Sequence, residues 1–220
     1  MIRRLLVRGL TRPRGPAPGR SAAPPPPDHP PLTGAEVDRA ETELGVRFPS
    51  AYRSYLLDVS AGGPLHRLER GPDGWWWAGN QDTRRDLLPL PFPHPDSYVE
   101  ADAALWERWP REEDFPDEAA CRAARQAWNE TEGDEFEDRK TAGAVVLRDN
   151  GCGFATLLAL TGPLAGTVWW DGRATCGLIV PLSLDHPGGG APLTFGQWRE
   201  RGLGDLSDLL PPDWGRPAQF

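Results

Sequence analysis

Lysine occurs once in this chain, at position 140, although there are 24 basic residues, and methionine occurs once, as Met1. With 25 glycines and 25 prolines beside them, these scarcities fit a high-GC coding bias and say nothing about function. Cysteine is scarce too. Cys121, Cys152 and Cys176 are odd in number and lack the close spacing of a metal-binding pair, so they read as reduced thiols of a cytoplasmic protein. His29, His66, His94 and His186 are scattered, and none stands four residues from another beside a helical glutamate, which excludes a zincin-like site. The chain has no Walker-type phosphate loop and no dinucleotide fingerprint after a strand. Nor does any apolar run approach the roughly 18 residues of a membrane helix. The expectation is a chain with no metal, no cofactor and no membrane span.

What is abundant is tryptophan, with ten in 220 residues. Each ring buried is worth on the order of 1.5–3 kcal/mol, and 39% hydrophobic content suits one domain with a sizeable core. Acid is abundant as well, but unevenly placed. The first 27 residues hold Arg3, Arg4, Arg8, Arg12, Arg14 and Arg20, no acid, and end in Pro24-Pro25-Pro26-Pro27. Residues 1–31 therefore read as a disordered basic leader. Arg3-Arg4 has the look of a twin-arginine signal, but Leu5-Leu6-Val7 is a short apolar run and Arg8 interrupts it. Beyond residue 27, 18 basic residues face all 32 acids, a net −14. Such a body repels phosphate backbones, which argues against direct nucleic-acid binding and favours basic protein partners; plain solubility is the alternative reason for the charge.

Between Leu32 and Gly63 the caps and periodicity agree on two helices. Thr33 and Glu36 make a capping box, Val37, Ala40, Glu41 and Leu44 follow at helical spacing, and Gly45 stops the helix. Ser50 is expected to cap a second helix with Tyr52, Tyr55, Leu56 and Val59 on its apolar face and Gly62-Gly63 at its end. A Pro72-Asp73-Gly74 turn then predicts a hairpin whose strand puts Trp75 and Trp77 on one face and Trp76 on the other. The prolines from Pro89 to Pro95 predict a polyproline-like surface segment. Short helices are expected over Ala101 to Trp109 and Asp117 to Glu130, the latter with Ala120, Ala124, Ala127 and Trp128 along one side. The acidic run from Glu130 to Asp138 holds only fragments of an EF-hand loop and reads as solvated loop. From Ala144 onward, hydrophobic strands alternate with turns, the first at Asp149-Asn150-Gly151, and predict an antiparallel meander. Cys152 reads as a small buried thiol at a strand start, and Gly188-Gly189-Gly190 as a flexible connection. The fold class is α+β, a largely antiparallel sheet covered by N-terminal and C-terminal helices.

Leu44-Gly45, Phe48-Pro49, Tyr52, Tyr55-Leu56-Leu57 and Gly62-Gly63, followed by glycine-punctuated strands and a closing helix around Phe195 and Trp198, resemble the SUKH superfamily of Smi/Knr-like proteins. The resemblance covers about residues 31–206. It implies the SUKH fold over 32–206, with a segment at about 80–140 inserted into the family pattern and a tail at 207–220. Bacterial SUKH proteins are associated with immunity to polymorphic toxins, and fungal members with cell-wall regulation. The resemblance therefore implies a non-catalytic module that binds a toxin domain as its protein partner, and the acidic body favours a basic one. It supplies no set of functional residues. Contacts chosen from chemistry are Trp76, Trp106 and Trp109 as aromatic anchors, with Glu132, Asp134, Glu135, Glu137 and Asp138 as steering charges. Core packing for the rings and solvation for the acids are the plainer readings. Two other functions are open: a cell-wall-related regulatory scaffold, and a carbohydrate or small-ligand protein or enzyme with a Trp-lined pocket.

Overall fold

The computed structural model describes residues 29–80, 83–176, 178–186 and 190–212. Residues 1–28 of the expected leader, Gly188 and Gly189 of the expected flexible connection, and residues 213–220 of the expected tail lie outside this range.

Helix α1 (Gly34–Leu44) starts and stops as its caps dictate. The Glu36 amide donates to the Thr33 hydroxyl, the Thr33 amide donates back to the Glu36 carboxylate at 2.8 Å, and Gly45 closes the helix with φ 69. The Thr33 side chain and amide hold the exposed Glu36 carboxyl below its ordinary value. Helix α2 (Ser50–Asp58) departs from expectation at both ends. Pro49, not Ser50, occupies the cap position, with no side-chain cap, because its fixed φ leads the chain directly into the helix. The Tyr55 carbonyl accepts from both Val59 and Ser60 amides, ending the helix before Gly62-Gly63 and turning Val59 outward to 45% exposure. Buried Glu41 fastens the connection between the helices, accepting from the Phe48 amide at 2.8 Å and from Arg47 at 3.1 Å.

Strands β1 (Leu68–Gly71) and β2 (Gly74–Trp77) form the expected hairpin across Pro72-Asp73, with Trp75 and Trp77 buried and Trp76 on the other face. The proline segment that follows runs over the surface as expected, with Pro89, Leu90, Pro91 and His94 exposed, but it is anchored from beneath. Leu88 and Phe92 are both buried, and the segment is pinned to the sheet: the Gly143 amide donates to the Leu87 carbonyl, the Phe92 amide to the Thr161 carbonyl, and the Thr161 hydroxyl to the Leu90 carbonyl. Two apolar anchors outweigh the polar solvation that such a segment would otherwise seek.

Three α-helices, joined by a short 3-10 turn and a π turn, follow among the described residues up to Lys140. Helix α3 (Val99–Glu107) begins earlier than expected, so Trp109 lies just past its end. Helix α4 (Glu118–Trp128) is capped by Asp117, whose carboxylate accepts from the Ala120 amide at 2.8 Å. Its buried residues are Cys121 and Trp128, and Ala127 is exposed, so the inward stripe is rotated from the expected alanine face. The acidic run is helical rather than loop, forming a π turn at Asn129–Gly133 and then α5 (Asp134–Arg139). Arginines neutralise its carboxylates, which removes the repulsion that would have opened it.

The sheet runs β3 (Ala144–Gly151), β4 (Phe154–Ala159), β5 (Val168–Asp171) and β6 (Ile179–Pro181), each antiparallel to the next, with α6 (Arg173–Cys176) in the last connection. Val145, Leu147, Leu158, Leu160 and Trp170 face the layer formed by α1, α2, the hairpin and α7 (Phe195–Glu200). Within that layer Tyr52 meets Phe195 edge-on at 5.1 Å and its hydroxyl accepts from the Trp77 indole at 2.7 Å; burial pushes the Tyr52 phenol well above its ordinary value. Ala144, Val146, Leu157, Ala159 and Trp169 take the opposite face, under Phe92. Two elements expected outside the domain also pack. His29 and Pro30 accept from Ser60 and Ala61, while buried Leu209, in the expected tail, accepts from the Ser183 amide.

The β3–β4 turn corrects two expectations. Gly151 pairs with Phe154, so the loop residues are Cys152 and Gly153, not Asn150-Gly151, and Cys152 is exposed rather than buried. Both loop residues have positive φ, 54 and 79, as a type I′ turn requires. Asn is far better suited than Cys to that first position. Replacing Cys152 by Asn should therefore raise stability by about 0.5–1 kcal/mol, measured as an unchanged m-value with a higher urea midpoint.

Candidate interaction surface

Helices α3 and α4 bring three tryptophans together. Trp106 on α3, Trp109 one turn later and Trp128 at the end of α4 have ring centroids 5.4, 5.4 and 4.9 Å apart. The π turn matters here because it lays Gly133 flat against the Trp128 ring, where a Cβ would lie 2.6 Å from a ring carbon. Arg125 stacks over Trp109 at 5.5 Å from its centroid and donates through Nε to the Pro110 carbonyl at 3.0 Å. Trp128 is buried and its indole N–H has no hydrogen-bond acceptor among the described residues. Trp106 is 50% exposed. Of the chosen aromatic anchors, Trp106 and Trp109 are thus joined and Trp76 is remote in the sequence and differently employed. The Trp76 indole donates to the Asn80 carbonyl at 3.0 Å, and the Arg85 guanidinium sits 5.0 Å from its ring.

The chosen acids divide in the same way. Glu132 pairs with Arg108 at 2.8 Å, Glu135 with Arg139 at 2.8 Å, and Asp138 with Arg84. Glu137 belongs to an internal network. It meets Lys140 at 2.6 Å and Arg173 at 3.4 Å, Lys140 also reaches Asp102 at 2.7 Å, and Arg173 grips Asp171 at 2.7 Å. Lys140 is only 3% exposed and lies over the Tyr98 and Phe136 rings. Burial pushes the Tyr98 phenol up. Burial opposes charge on Arg173 as well, but Asp171 and Glu137 outweigh it and hold the guanidinium above its ordinary value. Asp134 is exposed and makes no ion pair among the described residues.

A cleft of about 420 Å³ contains Asp138, paired with Arg84, and Asp171, held by Arg173 at 2.7 Å. A cleft of about 370 Å³ between α1 and the hairpin is lined by Arg39, Arg67 and Arg70 together with Glu36, Glu69 and one tryptophan, Trp75. Among the described residues no group of three or more His, Cys, Asp or Glu side chains is placed to hold a metal ion, and no helix is long and apolar enough to cross a membrane.

Sequence reasoning missed Trp128 as the third ring and Arg125 as the cation over Trp109. The Trp106 and Trp109 spacing, i to i+3, signals a shared helical side, but nothing local couples them to a residue nineteen positions beyond Trp109. No family model matches the chain, and neither does any curated protein or solved structure.

Proposed function

We propose that this chain is a non-catalytic protein-binding module of the SUKH type, an immunity-type protein that acts in the cytoplasm by binding a toxin domain and neutralising it. The observation that carries this reading is the common core of the residues that resemble the family. Leu44, Phe48, Tyr52, Tyr55 and Leu56 of the first two helices pack in one cluster with Phe195 and Trp198 of the closing helix, over a four-stranded antiparallel meander. The −14 charge beyond residue 27 supports a basic partner, since a nuclease-like toxin needs a positive groove that an acidic surface finds quickly and fills.

The test is co-expression with toxin domains encoded beside the gene in its native host. A cognate toxin should be tolerated only when this protein is present and should elute with it as one complex. Affinity should fall at least about tenfold between roughly 50 and 300 mM salt, measured by titration calorimetry. Toxicity unchanged by the protein, or salt-independent binding, would refute the reading or its electrostatic basis respectively. A carbohydrate-binding alternative draws on the cleft of about 200 Å³ at Trp76 and Trp77, and thermal stabilisation by oligosaccharides would favour it.

A further inference from the structure

We infer that the open face of Trp106 is the seat for an arginine side chain on the partner protein, a reading that rests on the protein-binding function proposed above and specifies where and how the contact is made. Trp106 is the only tryptophan among the described residues that is exposed, at 50%. Its exposure is not that of a free ring, because Trp109 and Trp128 pack against it with ring centroids 5.4 Å away in each case. A large, rigid, half-open indole is the kind of group that dominates interface energetics, as little further ordering is needed on binding.

The chemistry of the occupant follows from two independent features. The first is charge. Fourteen acids face six basic residues between Tyr98 and Lys140, a net −8 over the segment that carries the ring. Glu107, the next residue after Trp106, is exposed and makes no ion pair among the described residues, while Glu132, four residues after Trp128, is met by Arg108 at the periphery. The second is the cluster's own precedent, for Arg125 already lies over Trp109 at 5.5 Å. A guanidinium is planar and weakly hydrated, so it stacks on an indole face in a way an ammonium does not. Trp76 offers no equivalent seat, because Arg85 occupies its ring from within the chain.

The experiment titrates the full chain with a nonaarginine peptide and, at the same ionic strength, a nonalysine peptide, following the Trp106 indole N–H resonance identified by its loss in Trp106→Leu. Leucine keeps apolar bulk over Trp109 and Trp128 but has no π face; Trp106→Phe keeps a smaller one. The expected result is a saturable shift of that resonance, binding of the arginine peptide about fivefold tighter than the lysine peptide, a loss of about fivefold to tenfold in Trp106→Leu, and a smaller loss in Trp106→Phe. Equal affinity of wild type and Trp106→Leu, or equal affinity for the two peptides, overturns the inference. So does a shift of the resonance, without peptide, when the six leader arginines are replaced by alanine, since the occupant would then be this chain's own leader. The two proposals fail separately. A toxin bound undiminished by Trp106→Leu removes the seat and leaves the function, whereas peptide binding as expected with no toxin neutralised removes the function and leaves the seat.

Discussion

Replacing Gly143 by alanine should destabilise the protein by about 3 kcal/mol or more, the largest single-residue loss expected outside the core tryptophans. Gly143 stands just before β3 with φ 67, and its backbone joins three segments: its amide donates to Leu87, and its carbonyl accepts from Leu160 and Thr161. A Cβ there would lie 2.1 Å from the Leu90 carbonyl oxygen and 2.6 Å from the Phe92 nitrogen, both backbone atoms that cannot rotate away. The proline segment would have to lift, drawing Leu88 and Phe92 out of the two cores that they fill. Gly151→Ala is the matched control. Gly151 has φ 79 but nothing within 4 Å of its Cβ position, so only the conformational cost of about 1 kcal/mol remains. Urea denaturation of both variants separates the effects, and equal losses would defeat the packing account.

Lys140→Met should cost about 2–3 kcal/mol. Methionine retains the apolar stem but leaves Asp102 and Glu137 facing each other without the ammonium that holds both. Removing one partner of a buried pair commonly costs about 3–5 kcal/mol, and the lower figure is expected here because Asp102 and Glu137 are 31% and 37% exposed and keep some water. Adding Asp102→Asn should recover part of the loss by removing one uncompensated charge, so the double variant should be more stable than Lys140→Met alone. Further loss in the double variant would mean that Asp102 stabilises the fold through other contacts.

Where neighbours in sequence decide the structure, the sequence was readable. Thr33, Glu36 and Gly45 bound α1 by local hydrogen bonds, Pro72-Asp73 joins two strands whose Trp75 and Trp77 alternate with Trp76, and short turns between hydrophobic runs yield the meander. Where distant residues decide, it was not. The Asn150-Gly151 pair has the stronger local turn preference, yet Val145 and Leu147 share a sheet face with Leu158 and Leu160, and that register, together with the pairing shifts between Val146 and Arg148 and between Asp149 and Gly151, moves the loop to Cys152-Gly153. Likewise the acidic run folds as helix because Arg84 and Arg108, remote in the chain, take up Asp138 and Glu132. The interaction surface was half legible for the same reason. Trp106 and Trp109 carried their own signal, while Glu137 looked like a solvated charge until Lys140 and Arg173 were brought to it.

The burial of Lys140 also determines how the molecule responds to amine chemistry. With that side chain 3% exposed and no second lysine in the sequence, acylating reagents and bifunctional amine cross-linkers have little to react with beyond the α-amino group. A fluorophore ester should therefore give an almost homogeneous singly labelled product.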